Sequence, residues 1–373
     1  MKALISLISE QQIPNVLFIR HIKPDYNIFV TTQQMEKIKQ SDKIINTLSL
    51  EEKKVRRIIV DSENISEIIN SCIEEIKKLK DSISEDVEFI INLTGGTKTM
   101  ALAVHELAKM LGAKTYYLPR QLTKFIKIYP EIFKESIELD LSNFTVKDYF
   151  NSYMLTERDS ELIKLFEPSY DFDKAKSMLK NFKEGLLKGE VYKKLREEGR
   201  KKNLRVADDV KEFLSNIGFK TENQEKIDQK ESKYITGGWF EEYVYYFVKE
   251  KFKINEIHCG LKRLKGEQSI DNEFDVIFLN GLTLNIIECK TSLTEHKPAD
   301  LFNDTVYKSA ALLKNMGLSA KTAIVTLENL NNEKGERKKD FDERAKYFGI
   351  KLIDQSQVLD ENKFQEELKS FIR

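Results

Sequence analysis

Residues 88–112, EFIINLTGGTKTMALAVHELAKMLG, decide the fold of the N-terminal part of the chain. Glu88–Leu93 is a short apolar run of strand length, suited to burial in a parallel sheet. Met100, Val104, Leu107 and Leu111 recur at helical spacing, and Gly112 is placed to end that helix. The glycine loop therefore joins a strand end to a helix N-terminus. Free backbone N–H groups at such a junction favour an anion, and glycine lets a ligand approach closely. Thr94, Thr97 and Thr99 add hydroxyls, and Lys98 adds positive charge. The phosphate-loop pattern G-x-x-x-x-G-K-[ST] is not met, because the lysine follows Thr97 and no glycine stands at the required upstream position. The dinucleotide pattern G-x-G-x-x-G is also missing. Neither ATP hydrolysis nor hydride chemistry is indicated, and isolated phosphodiesters suit the loop better than a triphosphate.

Outward from this stretch, further apolar runs lie at Ala3–Ile8, Asn27–Val30, Arg57–Val60 and Lys114–Leu118. Amphipathic stretches separate them, QQMEKIKQSDKIINTL and NISEIINSCIEEIKKLK among them. Strands alternating with helices predict a Rossmann-like α/β domain with a parallel sheet covered on both faces, over residues 1–138. Residues 139–230 are rich in lysine and glutamate and read as a mostly helical connector. Residues 231–373 open with a broad apolar helix, GGWFEEYVYYFVKEKF, and continue as strands and helices of a mixed α/β domain. The 373 residues suit two domains and a connector, and the 61 basic and 61 acidic residues balance, so any basic surface is local. Three scattered cysteines, Cys72, Cys259 and Cys289, form no metal-like pairs and suit a reducing cytoplasm. The N-terminal apolar run is too short for a signal peptide, and no run of about 18 apolar residues predicts a membrane span.

The strongest chemistry lies in NEFDVIFLNGLTLNIIECKTS, residues 272–292. Asn280-Gly281 is a preferred dipeptide for a two-residue type I′ hairpin. With that turn Leu279 pairs with Leu282, and Asp275 falls opposite Ile286. Alternation then puts Asp275, Ile286, Glu288 and Lys290 on one face, with Glu288 diagonal to Asp275 at roughly 7–8 Å. Cys289 points to the other face, into the core. Two carboxylates so placed suit one hard divalent cation, Mg2+ or Mn2+. Such an ion acidifies a bound water and offsets charge on a phosphoryl group, while Lys290 steadies the nucleophile or the negative transition state. On the preceding helix Phe240, Val244, Phe247 and Val248 form an apolar stripe. Glu241 on its edge is the candidate third acid and metal ligand, with Glu242 as the alternative.

Glu-x-Lys with an Asp on the adjacent strand resembles the PD-(D/E)xK nucleases, with Phe274 where the textual motif has proline. TGGTK after a buried strand, together with LISEQQIPN at the end of the first strand, resembles the CARF domain of CRISPR-associated proteins. The two in this order resemble the ancillary nucleases of type III CRISPR systems, in which a CARF domain is fused to a restriction-endonuclease-like domain. The resemblance implies ligand contacts at Ser9, Gln12, Asn15, Thr94, Gly95, Gly96, Thr97 and Lys98. It implies a homodimer that binds a cyclic oligoadenylate, cyclic tetra-adenylate above all, and so activates the nuclease. The catalytic set is then Asp275, Glu288, Lys290 and Glu241, acting on single-stranded DNA or RNA. The competing expectations are a constitutive restriction- or repair-type endonuclease and a ligand-responsive regulator without activity. Tyr307, Lys308 and Lys314 on the next predicted helix are candidates to line the substrate groove.

Overall fold

Each apolar run of the N-terminal region becomes a strand. The computed structural model describes residues 1–83, 86–119, 123–130, 135–154, 163–263, 272–292, 304–311, 316–317, 320–331 and 339–373. The chain divides into two units, residues 1–162 with 314–319 and residues 163–313 with 320–373.

In the first unit β1 (Lys2–Leu7), β2 (Tyr26–Thr31), β3 (Val55–Ile59), β4 (Glu88–Asn92) and β5 (Lys114–Tyr117) are parallel, in the order β3-β2-β1-β4-β5. β1, β2 and β4 are buried along nearly their whole length, as expected of strands covered on both faces. One face packs against α4 (Ile65–Asp81) and α5 (Lys98–Leu111) through Ile68, Cys72, Met100, Val104 and Leu107. Also in this unit are α1 (Ile13–Ile22), α2 (Gln33–Lys37), α3 (Gln40–Leu48) and α6 (Val146–Met154), of which α1, α3 and α6 pack together. The sheet is not wholly parallel. β6 (Lys124–Tyr129) runs antiparallel to β5, and β7 (Ser136–Glu138) antiparallel to β6. The few residues between β5 and β6 are too short for the crossover a parallel pair needs.

The segment 139–230, expected as a connector, does not stand apart. α6 belongs to the first unit, and everything from β8 (Ile163–Leu165) onward belongs to the second. There α7 (Phe172–Lys183), α8 (Glu190–Lys194), β9 (Leu204–Arg205), α9 (Asp208–Asn216), β10 (Lys226–Ile227) and α10 (Gln229–Lys233) precede α11 (Trp239–Phe252). Met178, Leu195, Val210 and Leu214 share one core with Trp239, Phe240 and Val244 of α11. α9 stops before Gly218 (φ 60°).

The central sheet of this unit has the order β11-β14-β15-β16-β17 among the described residues. Its strands are β11 (Ile257–His258), β14 (Val276–Asn280), β15 (Thr283–Lys290), β16 (Ala320–Thr326) and β17 (Ile350–Ile353). β14 and β15 form an antiparallel hairpin, while β15, β16 and β17 are parallel. A smaller sheet joins β8, β12 (Leu261–Arg263) and β13 (Asn272–Phe274). One face of the central sheet carries Ile287, Cys289, Ala323 and Val325 against α11 and α15 (Glu361–Ile372), where Phe247 and Phe364 lie 4.7 Å apart. The other face carries Ile324 and Leu352 under the helix at 304–311 (α12) and α13 (Lys339–Tyr347), through Val306 and Ala345. Lys314, a predicted groove residue, lies outside the described residues.

Where the chain enters the second unit it is tied to β11. His258 Nδ1 lies 3.0 Å from Glu167 Oε1, and its Nε2 lies 3.3 Å from Glu256 Oε1. Burial alone pulls the imidazole pKa down, but the two carboxylates outweigh it and raise it above the ordinary value of 6.5. A raised folded-state pKa gives stability that is full below the unfolded value and lost as pH climbs through the folded one. Urea unfolding of the second unit is expected to show a midpoint that falls as pH climbs above about 6.5. His258→Gln should flatten that fall, and an unchanged slope in the variant would count against the ion pair.

Candidate sensor loop and candidate active site

β1 has β2 on one side and β4 on the other, so the strand order reverses beside it. In open α/β sheets the crevice outside the carboxyl ends at such a point is where ligands bind. Both candidate ligand loops leave the sheet there, residues 8–12 after β1 and residues 93–97 after β4. They are locked together. Gly95 has φ 127°, and a Cβ on it would stand 2.6 Å from the Leu7 carbonyl oxygen and 3.2 Å from Ser9 Oγ. A side chain there is barred by both the backbone angle and the space. Beneath the loop runs a buried amide chain. Asn15 Nδ2 donates to Leu7 O at 2.9 Å, Asn92 Nδ2 donates to Asn15 Oδ1 at 2.8 Å, and Thr94 N donates to Asn92 Oδ1 at 3.0 Å.

Thr97 caps α5 by accepting from Met100 N at 3.1 Å, and Lys98 is exposed at the first helical position. Thr94 Oγ1 accepts from Leu118 N at 2.7 Å, which ties the loop to the end of β5. Among the described residues the amides of Gly95 to Thr99 donate to no protein acceptor. The predicted contacts thus divide. Ser9 and residues 94–98 are partly or fully exposed. Gln12 and Asn15 are fully buried. Gln12 Nε2 donates to Ser9 O and Gln40 Oε1, and the Asn15 amide is committed to Leu7 and Asn92. Both shape the loops from below. Asn92, which sequence reading passed over, is the joint between them; its only sequence signal is an amide closing an otherwise apolar strand.

The second cluster forms where β13 gives way to β14. The hairpin turn is Gly281-Leu282, between paired Asn280 and Thr283, and not Asn280-Gly281. Gly281 has φ 60°, while Leu282 is absent from the positive-φ positions, which is the type II′ pattern in place of I′. Asn280 spends its side chain on the Ile372 carbonyl at 3.2 Å instead of entering the turn. The register therefore pairs Ile277 with Ile286 and Val276 with Ile287, and its continuation puts Asp275 opposite Glu288. The correction moves the pairing by two residues, so facing is preserved and the two acids come closer than the predicted diagonal.

Asp275 lies at the bend between the strands, and its Oδ2 accepts from Cys289 N at 2.7 Å. Lys290 Nζ lies 2.6 Å from Glu288 Oε1 and 3.7 Å from Asp275 Oδ2. Asp275 and Glu288 side chains are only 12% and 11% exposed. Burial, then the negative charges of Glu241 and Glu288, push the Asp275 pKa well above its ordinary value. Burial likewise raises that of Glu241, against the pull of Lys233 and Lys290. Lys290 is held protonated, because Asp275 and Glu288 overcome the cost of its burial. Cys289 lies on the opposite, core face.

The two adjacent glutamates have different surroundings. Glu241 takes part in the charge cluster with Asp275, Glu288 and Lys290. Glu242 is buried and accepts from Ser169 N at 2.6 Å and Tyr170 N at 3.1 Å, which occupies its carboxylate. Lys233, paired with Glu273 at 3.2 Å, is a further charged neighbour of Glu241 that sequence reading did not pick out. Among the described residues no three ligating side chains converge tightly enough to hold an ion unaided. Two crowded, desolvated carboxylates nevertheless suit Mg2+ or Mn2+, which take one or two protein carboxylates and complete their shell with water and phosphate oxygens.

Residues 3–149 match the family model of the Card1 CARF domain, and residues 228–371 match that of the Card1-like endonuclease domain. The chain is a CARF–endonuclease fusion. Its fold is that of Can2 from Sulfobacillus thermosulfidooxidans, solved with cyclic tetra-adenylate (TM-score 0.70, 19% identity, 100% of both chains). Protein VC1899 from Vibrio cholerae is equally similar in fold (TM-score 0.70, 17% identity, 99% of this chain and 98% of that one). A type III CRISPR defence DNA nuclease activated by cyclic oligoadenylate matches with TM-score 0.55 and 15% identity, over 92% of this chain and 51% of that one. No curated protein sequence matches the chain. The glycine loop belongs to the CARF domain, and the Asp275 cluster belongs to the endonuclease domain. No helix among the described residues is long and apolar enough to cross a membrane.

Asn92→Ala breaks two links of the amide chain and strands the buried Asn15 oxygen, at a cost of about 1–3 kcal/mol. The expected result is a lower urea midpoint for the CARF domain and faster amide exchange at Thr94–Thr97, with exchange in the endonuclease domain unaltered. Unchanged exchange in the loop would refute the anchoring role.

Proposed function

We propose that this chain is a metal-dependent nuclease of type III CRISPR defence, activated by a cyclic oligoadenylate, cyclic tetra-adenylate in the first instance. The observation that carries the reading is the crowding of Asp275 and Glu288 around one lysine in a buried position, where the charge of Glu241 is also felt. So many acids with so little solvent are stable only beside added positive charge. A divalent cation there would acidify a water and offset phosphoryl charge. Asp275 and Glu288, with Glu241 beside them, would hold that cation. Lys290, kept protonated by its neighbours, orients the nucleophile or the negatively charged phosphate oxygens.

The sensing half rests on the glycine loop. The amides of Gly95 to Thr99 and the Lys98 ammonium suit a phosphodiester at the N-terminus of α5. A ring of repeated adenylates presents the same groups to two identical loops, so a homodimer is the natural receptor. Can2 was solved with such a ring, which supports the choice of ligand. For the substrate we favour single-stranded DNA or RNA. Glu288 is laddered beside Ile324, so it shares the sheet face covered by α12 and α13. On those helices Tyr307 is 52% and Tyr347 84% exposed, with Tyr347 5.1 Å from Phe348. Exposed aromatic rings stack unpaired bases.

The test is a matrix of labelled single- and double-stranded DNA and RNA, with Mg2+ or Mn2+, with and without each cyclic oligoadenylate. Cleavage that requires both the ring and the metal is expected. Glu288→Ala should abolish cleavage and leave ring binding intact, and full cleavage by this variant would sink the site assignment. Cleavage indifferent to every ring would instead favour a constitutive endonuclease. Tyr347→Ala in the Glu288→Ala background should weaken binding of a single-stranded oligonucleotide by about 1–3 kcal/mol in fluorescence anisotropy.

A further inference from the structure

Tyr153, near the end of α6, stands behind the first ligand loop. Its hydroxyl donates to Gln11 Oε1 at 3.2 Å, beside the backbone amides of Gln12 and Ile13. Those amides open α1, whose N-cap Gln12 makes no side-chain cap. Any change in the path of residues 9–12 therefore moves or frees this hydroxyl.

The same ring meets a distant part of the chain. Residues 314–319 lie between α12 and β16 in sequence yet belong to the first unit. Gly317 packs so tightly on Tyr153 that a Cβ there would stand 2.5 Å from the ring Cζ and 2.6 Å from the hydroxyl oxygen. Its φ of 77° adds a second reason for glycine. One helical turn back, the Tyr149 hydroxyl donates to the Met316 carbonyl at 2.8 Å, and the two tyrosine rings lie 5.2 Å apart. Met316 and Gly317 are thus seated on α6 by a hydrogen bond and by close contact.

Three residues after Gly317 the chain enters β16 at Ala320. β16 is the parallel partner of the catalytic strand, and its ladder sets Ile324 beside Glu288 and Thr326 beside Lys290. Gln11, Tyr153 and Gly317 touch in turn, and Gly317 precedes β16 closely in sequence. We propose that Tyr153 is a positioning residue that passes occupancy of the first ligand loop to β16, and so to Glu288 and Lys290. This rests on the activator reading above. A ligand shifts such an equilibrium only through contacts that differ between its states, and the Tyr153 hydroxyl has contacts of that kind at the loop.

The experiment compares full-length wild type with Tyr153→Phe, which keeps the ring and loses the hydroxyl, and with Gly317→Ala, which thrusts a methyl at the ring. Cyclic tetra-adenylate binding, cleavage with and without it, thermal midpoint, and amide exchange of Ala320–Thr326 are read for each. Tyr153→Phe is expected to bind the ring, to keep the unstimulated rate and midpoint of wild type, and to lose about tenfold of the stimulation. The ring-induced change in exchange along β16 should vanish with it, and Gly317→Ala should show the same uncoupling. Full stimulation and a wild-type exchange response in Tyr153→Phe would remove the link and leave the activator reading standing. A midpoint and unstimulated rate that fall together would assign Tyr153 a structural role alone and likewise overturn the proposal. A wild type that neither binds nor answers the ring removes both.

Discussion

The hydrogen bond from the Cys289 amide to the Asp275 carboxylate holds the endonuclease domain's chemistry in place. A strand that bends at Asp275 would otherwise leave that amide without a partner, and a buried unpaired amide is costly. The side chain therefore does the work of a backbone carbonyl and is pinned across the hairpin, next to Glu288. From this follow the crowding of the acids, the protonated lysine between them and the need for further positive charge. The fold keeps the cluster in spite of its electrostatic cost because the strand behind it is core. Ile287 and Cys289 on the opposite face are packed under α11 and α15.

The CARF domain meets a comparable problem in a different way. Its ligand loops must be polar and open, although they spring from the most buried strands of the sheet. The Leu7–Asn15–Asn92–Thr94 chain of amides pairs buried donors and acceptors beneath them, while the amides of Gly95 to Thr99 have no protein acceptor among the described residues. A buried polar chain of this kind is stabilising only when each member is paired. Glycine at position 95 is what allows the second loop to lie against the end of β1.

Much of this was legible in the sequence because it depends on period and composition. The five parallel strands fall within two residues of the apolar runs that announced them, because burial on both faces leaves a strong signal. The facing of Asp275, Glu288 and Lys290 survived a misplaced turn because a shift of two preserves side-chain alternation. The turn itself was misread because Asn280 has a tertiary partner at the end of α15, which no local preference reveals. Glu241 and Glu242 differ by one position, and only the placement of Ser169 and Tyr170 sets their surroundings apart. The lysine- and glutamate-rich stretch looked like a connector because its core-facing residues are sparse. Met178, Leu195 and Val210 acquire meaning only once α11 is beside them. Asn92 and Tyr153 carry no motif at all, since their importance is purely a matter of what they touch.

The return of residues 314–319 to the first unit bears on how such a protein can evolve. Two domains joined by one tether can be exchanged between chains by a single recombination event. Here such an event at the boundary near residue 162 would part Met316 and Gly317 from Tyr149 and Tyr153. The sensor would lose a piece of its own packing, and the nuclease would keep a loop shaped for an absent host. Successful reshuffling needs a second, matched change more than 150 residues downstream. The sensor and the nuclease are therefore expected to be inherited together, with drift at 149 and 153 answered by drift at 316 and 317.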